Sequence, residues 1–126
     1  MELRICHLYG DLMNIYGDDG NIITLARRAN WRGIKPKVLQ VTIGSKINPV
    51  WADIYFFGGG QDQQQIAVSQ DLQKVNGKLL EKVVKKGATV LSVCGGYQLL
   101  GNYYKPKKGS KLSGVGLIDA YTEASD

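Results

Sequence analysis

Apolar residues run through LRICHLY at 3–9 with little alternation, and ADIYFF at 52–57 and ATVLSV at 88–93 follow the same pattern. Strands of that kind are buried on both faces. KPKVLQVTI at 35–43 predicts another strand, with Pro36 at its start, where a missing amide does least harm. VGLIDAY at 115–121 is a fifth strand candidate. Between the strands the period changes to that of a helix. In NIITLARRANW at 21–31, Ile22, Leu25, Ala26 and Ala29 share one face; Asn21 is the expected N-cap and Gly33 the stop. A long helical region over 62–86 is expected to break near Asn76-Gly77; Leu79, Leu80, Val83 and Val84 give its second half a buried face before Gly87 ends it. GYQLLGNYY predicts a short helix after the 88–93 strand, and YKPKKGSKLSG at 104–114 a loop.

Apolar strands alternating with helices predict an α/β fold. The expected form is a doubly wound, mostly parallel sheet with helices on both faces, flavodoxin-like in outline. With 126 residues, no repeats and no linker, the chain reads as a single domain over 1–126. No apolar run reaches the roughly 18 residues of a membrane span, and the start lacks the apolar stretch of a secretory leader. A cytoplasmic location without membrane insertion is the expectation. Cys6 and Cys94 make no disulfide framework and have no metal-ligand spacing, so neither metal nor cofactor is expected. Net charge is +5, and residues 78–111 hold eight lysines against the single acid Glu81. Such a stretch reads as solvated lysines or as a patch for an anionic partner. Nucleic acid is not expected, because apart from Tyr103 and Tyr104 the lysines lack interleaved aromatics.

Ligands of open α/β sheets bind beyond the carboxyl ends of the strands. Two unusual loops fall there: Gly58-Gly59-Gly60-Gln61 after the 52–57 strand, and Cys94-Gly95-Gly96 after 88–93. Ser92 and Gly96 flank Cys94 at the two positions where a nucleophile elbow needs small residues. That turn would expose Cys94 at a helix N-terminus, whose dipole favours a thiolate. The Gly95 amide would then face an oxyanion, with a second donor from Gly59 or Gly60. Two plainer readings stand beside this one: Cys94 as a small packed residue, and the glycines as a tight turn or a phosphate cradle.

VCGGYQLLG, paired with FFGGGQDQQ about thirty residues earlier, resembles the class I (triad) glutamine amidotransferases, in particular the cobyric acid synthase-like branch. LYGDLMNIYGDDGNI and VGLIDAYTE resemble more narrowly the GatD-type glutaminase subunits of lipid II isoglutaminyl synthases. The resemblance implies that Cys94 attacks the side-chain amide of L-glutamine and that Gly60 and Gly95 supply oxyanion amides. It implies that Gln98 contacts the substrate. It also implies a heterodimer with a MurT-type, Mur-ligase-like synthase subunit, which receives the ammonia and amidates the D-glutamate of lipid II in cell-wall synthesis.

The triad histidine and acid of that family lie beyond the fifth strand, whereas this sequence holds one histidine, His7. In the usual strand order His7 stands two strands from Cys94, about 9.6 Å sideways. A base must come within about 3.2 Å of the thiol or act through one water. The expectation is an amino-terminal portion of a longer domain, inactive by itself and exposing apolar surface that promotes self-association. Two alternatives remain: a non-catalytic flavodoxin-like module for an anionic ligand, and a PfpI/DJ-1-type cysteine hydrolase. Gly95, where the latter proteins carry a histidine, weighs against the second.

Overall fold

The computed structural model describes residues 1–125. The chain forms β1 (Glu2–Leu8), α1 (Asp19–Asn30), β2 (Lys35–Val41), β3 (Ile54–Phe57) and α2 (Asp62–Asp71). A π-helical turn, Leu72–Asn76, leads into α3 (Gly77–Lys85). Then come β4 (Thr89–Ser92), α4 (Gly95–Leu100), β5 (Tyr103–Lys105), β6 (Leu112–Ser113) and β7 (Thr122–Glu123).

The main sheet has the order β2-β1-β3-β4, with every neighbouring pair parallel. Side chains alternate across it. Ile5 and Phe56 pack with Ile22 and Leu25 of α1 on one face. Cys6, Leu8, Tyr55 and Phe57 pack on the other face with Val68, Leu72, Leu80 and Val83, from the α2–α3 region. Covering helices on both faces explain why β1 and β3 read as unbroken apolar runs. The α/β, mostly parallel architecture is as expected.

Several local expectations need correction. Helix α1 starts at Asp19, not after an Asn21 cap. Asn14 reaches it across the turn: its Oδ1 accepts from the Asp19 amide (2.7 Å) and its Nδ2 donates to Asp19 Oδ2 (2.7 Å). The 62–86 helix does not break at Asn76-Gly77; it widens into the π-turn. There Asp71 Oδ2 accepts from Tyr9 Oη (2.7 Å) and Asn76 Nδ2 (2.8 Å), and Asp71 Oδ1 accepts from the Gly44 amide (3.1 Å).

Residues 115–121 are not a strand. They supply the donors that the end of α4 lacks: the Val115 amide donates to the Leu99 carbonyl (2.8 Å) and the Leu117 amide to that of Leu100 (2.9 Å). A helix end leaves carbonyls without partners, and this apolar segment meets that need instead of joining a sheet. Helix α4 stops at Leu100, short of the expected 104. The expected loop at 104–114 contains strand pairing instead. β5 is antiparallel to β6 and parallel to β7, making a small second sheet.

Candidate active site

Strands β3 and β4 are neighbours in register, with Phe57 opposite Ser92, so the loops that follow them emerge side by side. Cys94 occupies the turn between β4 and α4 with φ 53° and ψ −118°, and it is exposed. A positive φ is unusual for any residue with a side chain and persists only where the surroundings enforce it. The enforcement is visible. The Gly96 amide donates to the carbonyls of Gly58 (2.9 Å) and Val93 (3.1 Å), and the Gln98 amide donates to the Cys94 carbonyl (2.9 Å). This is the geometry of a nucleophile elbow.

Gly58, Gly59 and Gly60 are buried against the elbow. A Cβ on Gly59 would stand 3.3 Å from Cys94 Cβ and 3.6 Å from its sulfur, so a side chain there would crowd the thiol. The Gly59 amide donates to Asp18 Oδ1 (3.0 Å). It is therefore engaged.

A cleft of about 570 Å³ opens at Cys94, lined by Gly60, Gln65, Gln98, Tyr16, Asp62 and Tyr104 among others. That size suits a small molecule. Gln98 and Gln65 meet at its wall. Gln65 Nε2 donates to the Gly60 carbonyl (3.0 Å) and to Gln98 Oε1 (3.2 Å), which ties the glycine loop to α4. Tyr104 Oη donates to Asp62 Oδ1 (3.3 Å), and burial, together with that carboxylate, pushes the phenol's pKa up. Asp62 is the only charged side chain in the lining.

The structure thus brings Cys94, Gly59, Gly60, Gly95 and Gln98 to one edge of the sheet. It does not bring His7 there. His7 is buried (3% exposed) on β1, opposite Phe56 of β3, and β4 lies one strand further on. Its ring rests on Phe56, with centroids 5.3 Å apart, and its Nδ1 lies 3.4 Å from Asp19 Oδ1. Burial lowers its pKa. Reading the residues missed Gln65, Asp18 and Tyr16. For Gln65 a signal existed, since a polar residue interrupts the buried stripe that Val68 and Leu72 continue.

Among the described residues no group of three or more His, Cys, Asp or Glu side chains is placed to hold a metal ion. None of their helices is long and apolar enough to cross a membrane. The lysines of 78–111 are all exposed.

Fold and elbow together define an α/β protein that presents a cysteine at the carboxyl edge of a parallel sheet. The chain belongs to the CobB/CobQ-like glutamine amidotransferase domain family, whose profile matches residues 4–126. It is similar to the lipid II isoglutaminyl synthase (glutamine-hydrolyzing) subunit GatD of Staphylococcus aureus (strain N315), 41% identical over 123 residues, covering 98% of this chain and 50% of that protein. The GatD subunit of Streptococcus pneumoniae (strain ATCC BAA-255 / R6) is 40% identical over 121 residues, covering 96% and 46%. A cobyric acid synthase of Thermoanaerobacter sp. (strain X514) is 38% identical over 61 residues, covering 41% and 12%. The chain spans about half the length of the two GatD relatives.

Proposed function

We propose that this chain is the nucleophile-bearing part of a glutaminase subunit that hydrolyses L-glutamine and passes ammonia to a Mur-ligase-like synthase partner, which amidates lipid II. The observation that carries this reading is Cys94 at φ 53° beside the Gly58–Gly60 loop, in a chain of the glutamine amidotransferase family. The Cys94 sulfur attacks the carboxamide carbon of glutamine. The carbonyl electron pair moves onto oxygen, where the Gly60 and Gly95 amides receive it. When the oxyanion collapses, the carbon–nitrogen bond breaks and nitrogen leaves as ammonia with the proton taken from the thiol. Water then cleaves the γ-glutamyl thioester to glutamate and restores the thiol. Gln98, held by Gln65, contacts the substrate.

The proton carrier is proposed to come from outside residues 1–126, so that these residues alone turn over little or no glutamine. The position of His7 supports this, since it is buried two strands away from β4. The anionic-ligand alternative finds little support in the cleft, because the one charged group in its lining is the acid Asp62.

The test uses the full-length protein with its partner. Cys94→Ala should abolish glutamine-dependent amidation while added ammonia still supports it. Equal loss of both activities would make Cys94 a structural residue.

A further inference from the structure

Asp18 stands at the N-cap position of α1, yet its side chain makes no capping bond to that helix. Asn14 receives the Asp19 amide instead. The Asp18 carboxylate turns away to the glycine loop, where Oδ1 accepts the Gly59 amide at 3.0 Å. Asp18 is only 3% exposed, and its Oδ2 is buried without a hydrogen-bond partner. A buried carboxylate with one oxygen unpartnered is costly, and an uncharged residue would avoid the cost. Stability therefore does not explain an aspartate at this position.

The loop is shaped to receive it. A Cβ on Gly58 would stand 2.7 Å from both Cβ and Cγ of Asp18 and 2.6 Å from the Met13 carbonyl oxygen, so only glycine permits this approach. On the other side of the same loop, Gly59 lies against Cys94. Holding the Gly59 amide fixes the peptide plane between Gly58 and Gly59, and with it the path that delivers the Gly60 amide to the cleft.

We infer that Asp18 is a positioning residue for the oxyanion loop: its buried carboxylate anchors the Gly59 amide and thereby sets the Gly60 amide beside Cys94. This rests on the glutaminase reading above. A carboxylate oxygen is a stronger acceptor for an amide than a neutral oxygen is. Asp18 touches neither the thiol nor the reacting carbon; it acts through the backbone.

The test compares Asp18→Ala and Asp18→Asn in the full-length protein with its partner, with rates expressed per folded molecule, counted as those whose buried Cys6 thiol stays unlabelled by iodoacetamide. Loss of transition-state alignment lowers kcat and leaves KM nearly alone. In Asp18→Ala, kcat for glutamine hydrolysis should fall about 100-fold, the effect of a misplacement near 1 Å. Amidation from added ammonia should persist. Asp18→Asn, which keeps an oxygen for the Gly59 amide but loses the charge, should fall less than Asp18→Ala and stay below wild type. An unchanged kcat in folded Asp18→Ala, or a raised KM alone, overturns the inference.

Should Asp18→Ala not fold, Asp18→Asn decides, with hydrogen exchange at Gly59 as the second readout. A protected Gly59 amide with high kcat supports the anchor; a protected amide with a collapsed kcat, or an unprotected one with full kcat, overturns it. If the wild-type complex hydrolyses no glutamine, the functional reading falls by itself. Exchange at Gly59 then judges the anchor: faster exchange in Asp18→Ala than in Asp18→Asn supports it, and no change in Asp18→Ala removes it.

Discussion

Gly96 lies so close to Phe57 that a Cβ on the glycine would stand 2.4 Å from the Phe57 carbonyl oxygen. The contact joins the start of α4 to the end of β3 and holds the elbow against the glycine loop. Gly96→Ala should force the two apart. Overpacking of this kind costs about 1–3 kcal/mol, and urea unfolding should show it. On the proposed glutaminase reading, activity of the full-length variant should fall further than stability explains, because the displaced atoms are those that aim Cys94. Wild-type activity in a folded Gly96→Ala protein would show that the elbow tolerates the shift.

The two thiols should react very differently. Cys94 is exposed, whereas Cys6 is 1% exposed and burial pushes its pKa up to about 12. At pH 8 such a thiol is ionised in about one molecule in ten thousand, and the thiolate is the reactive form. Iodoacetamide followed by peptide mass mapping should label Cys94 first and Cys6 only after unfolding. Early labelling of Cys6 would mean that the β1 core opens readily.

His7 should make stability depend on pH. Its folded pKa lies below the ordinary value near 6.5 because burial opposes the charged ring, and the nearby Asp19, Asp18 and Asp11 offset this only in part. The folded state therefore binds fewer protons than the unfolded state. Its contribution is complete above the unfolded pKa and is lost as pH falls from about 6.5 through the lowered folded value. Urea unfolding of wild type and His7→Phe at pH 8 and pH 5 should show wild type losing more stability on acidification. Equal losses would mean that the buried ring is not the group responsible.

Among the described residues strand β4 ends the main sheet, and beside its outer edge Leu91 is 41% and Val93 39% exposed. An unpaired edge carrying apolar side chains invites pairing with another chain. Residues 1–126 alone should self-associate, giving a mass above that of a monomer by light scattering, and Leu91→Lys should reverse it. A monomer of wild-type residues 1–126 would remove the argument.

The main sheet is legible in the chain because β1 and β3 are covered on both faces, and a buried strand cannot hide its apolar run. The small sheet is not legible, since β5 to β7 span only two or three residues each, too few for any period to emerge. VGLIDAY misleads for a physical reason: its apolar residues and free amides serve the end of α4, and a segment recruited to close a helix looks locally like a strand. In the candidate site, the glycines are readable because close backbone approach admits almost nothing else. Asp18 is not, because its partner Gly59 lies 41 residues away and only the folded chain reveals the bond.

The π-turn at Leu72–Asn76 has a consequence for insertions and deletions. A turn of this kind accommodates one residue more than an α-turn over nearly the same rotation. Loss of the exposed Lys74 would tighten it to ordinary pitch and still deliver Leu80 and Val83 to the sheet. The same loss within α2 would swing every later side chain by about 100° and turn that apolar face toward water. Length at this spot is therefore negotiable by a single residue, though Asp71 and Asn76 would then have to find Tyr9 across a narrower coil.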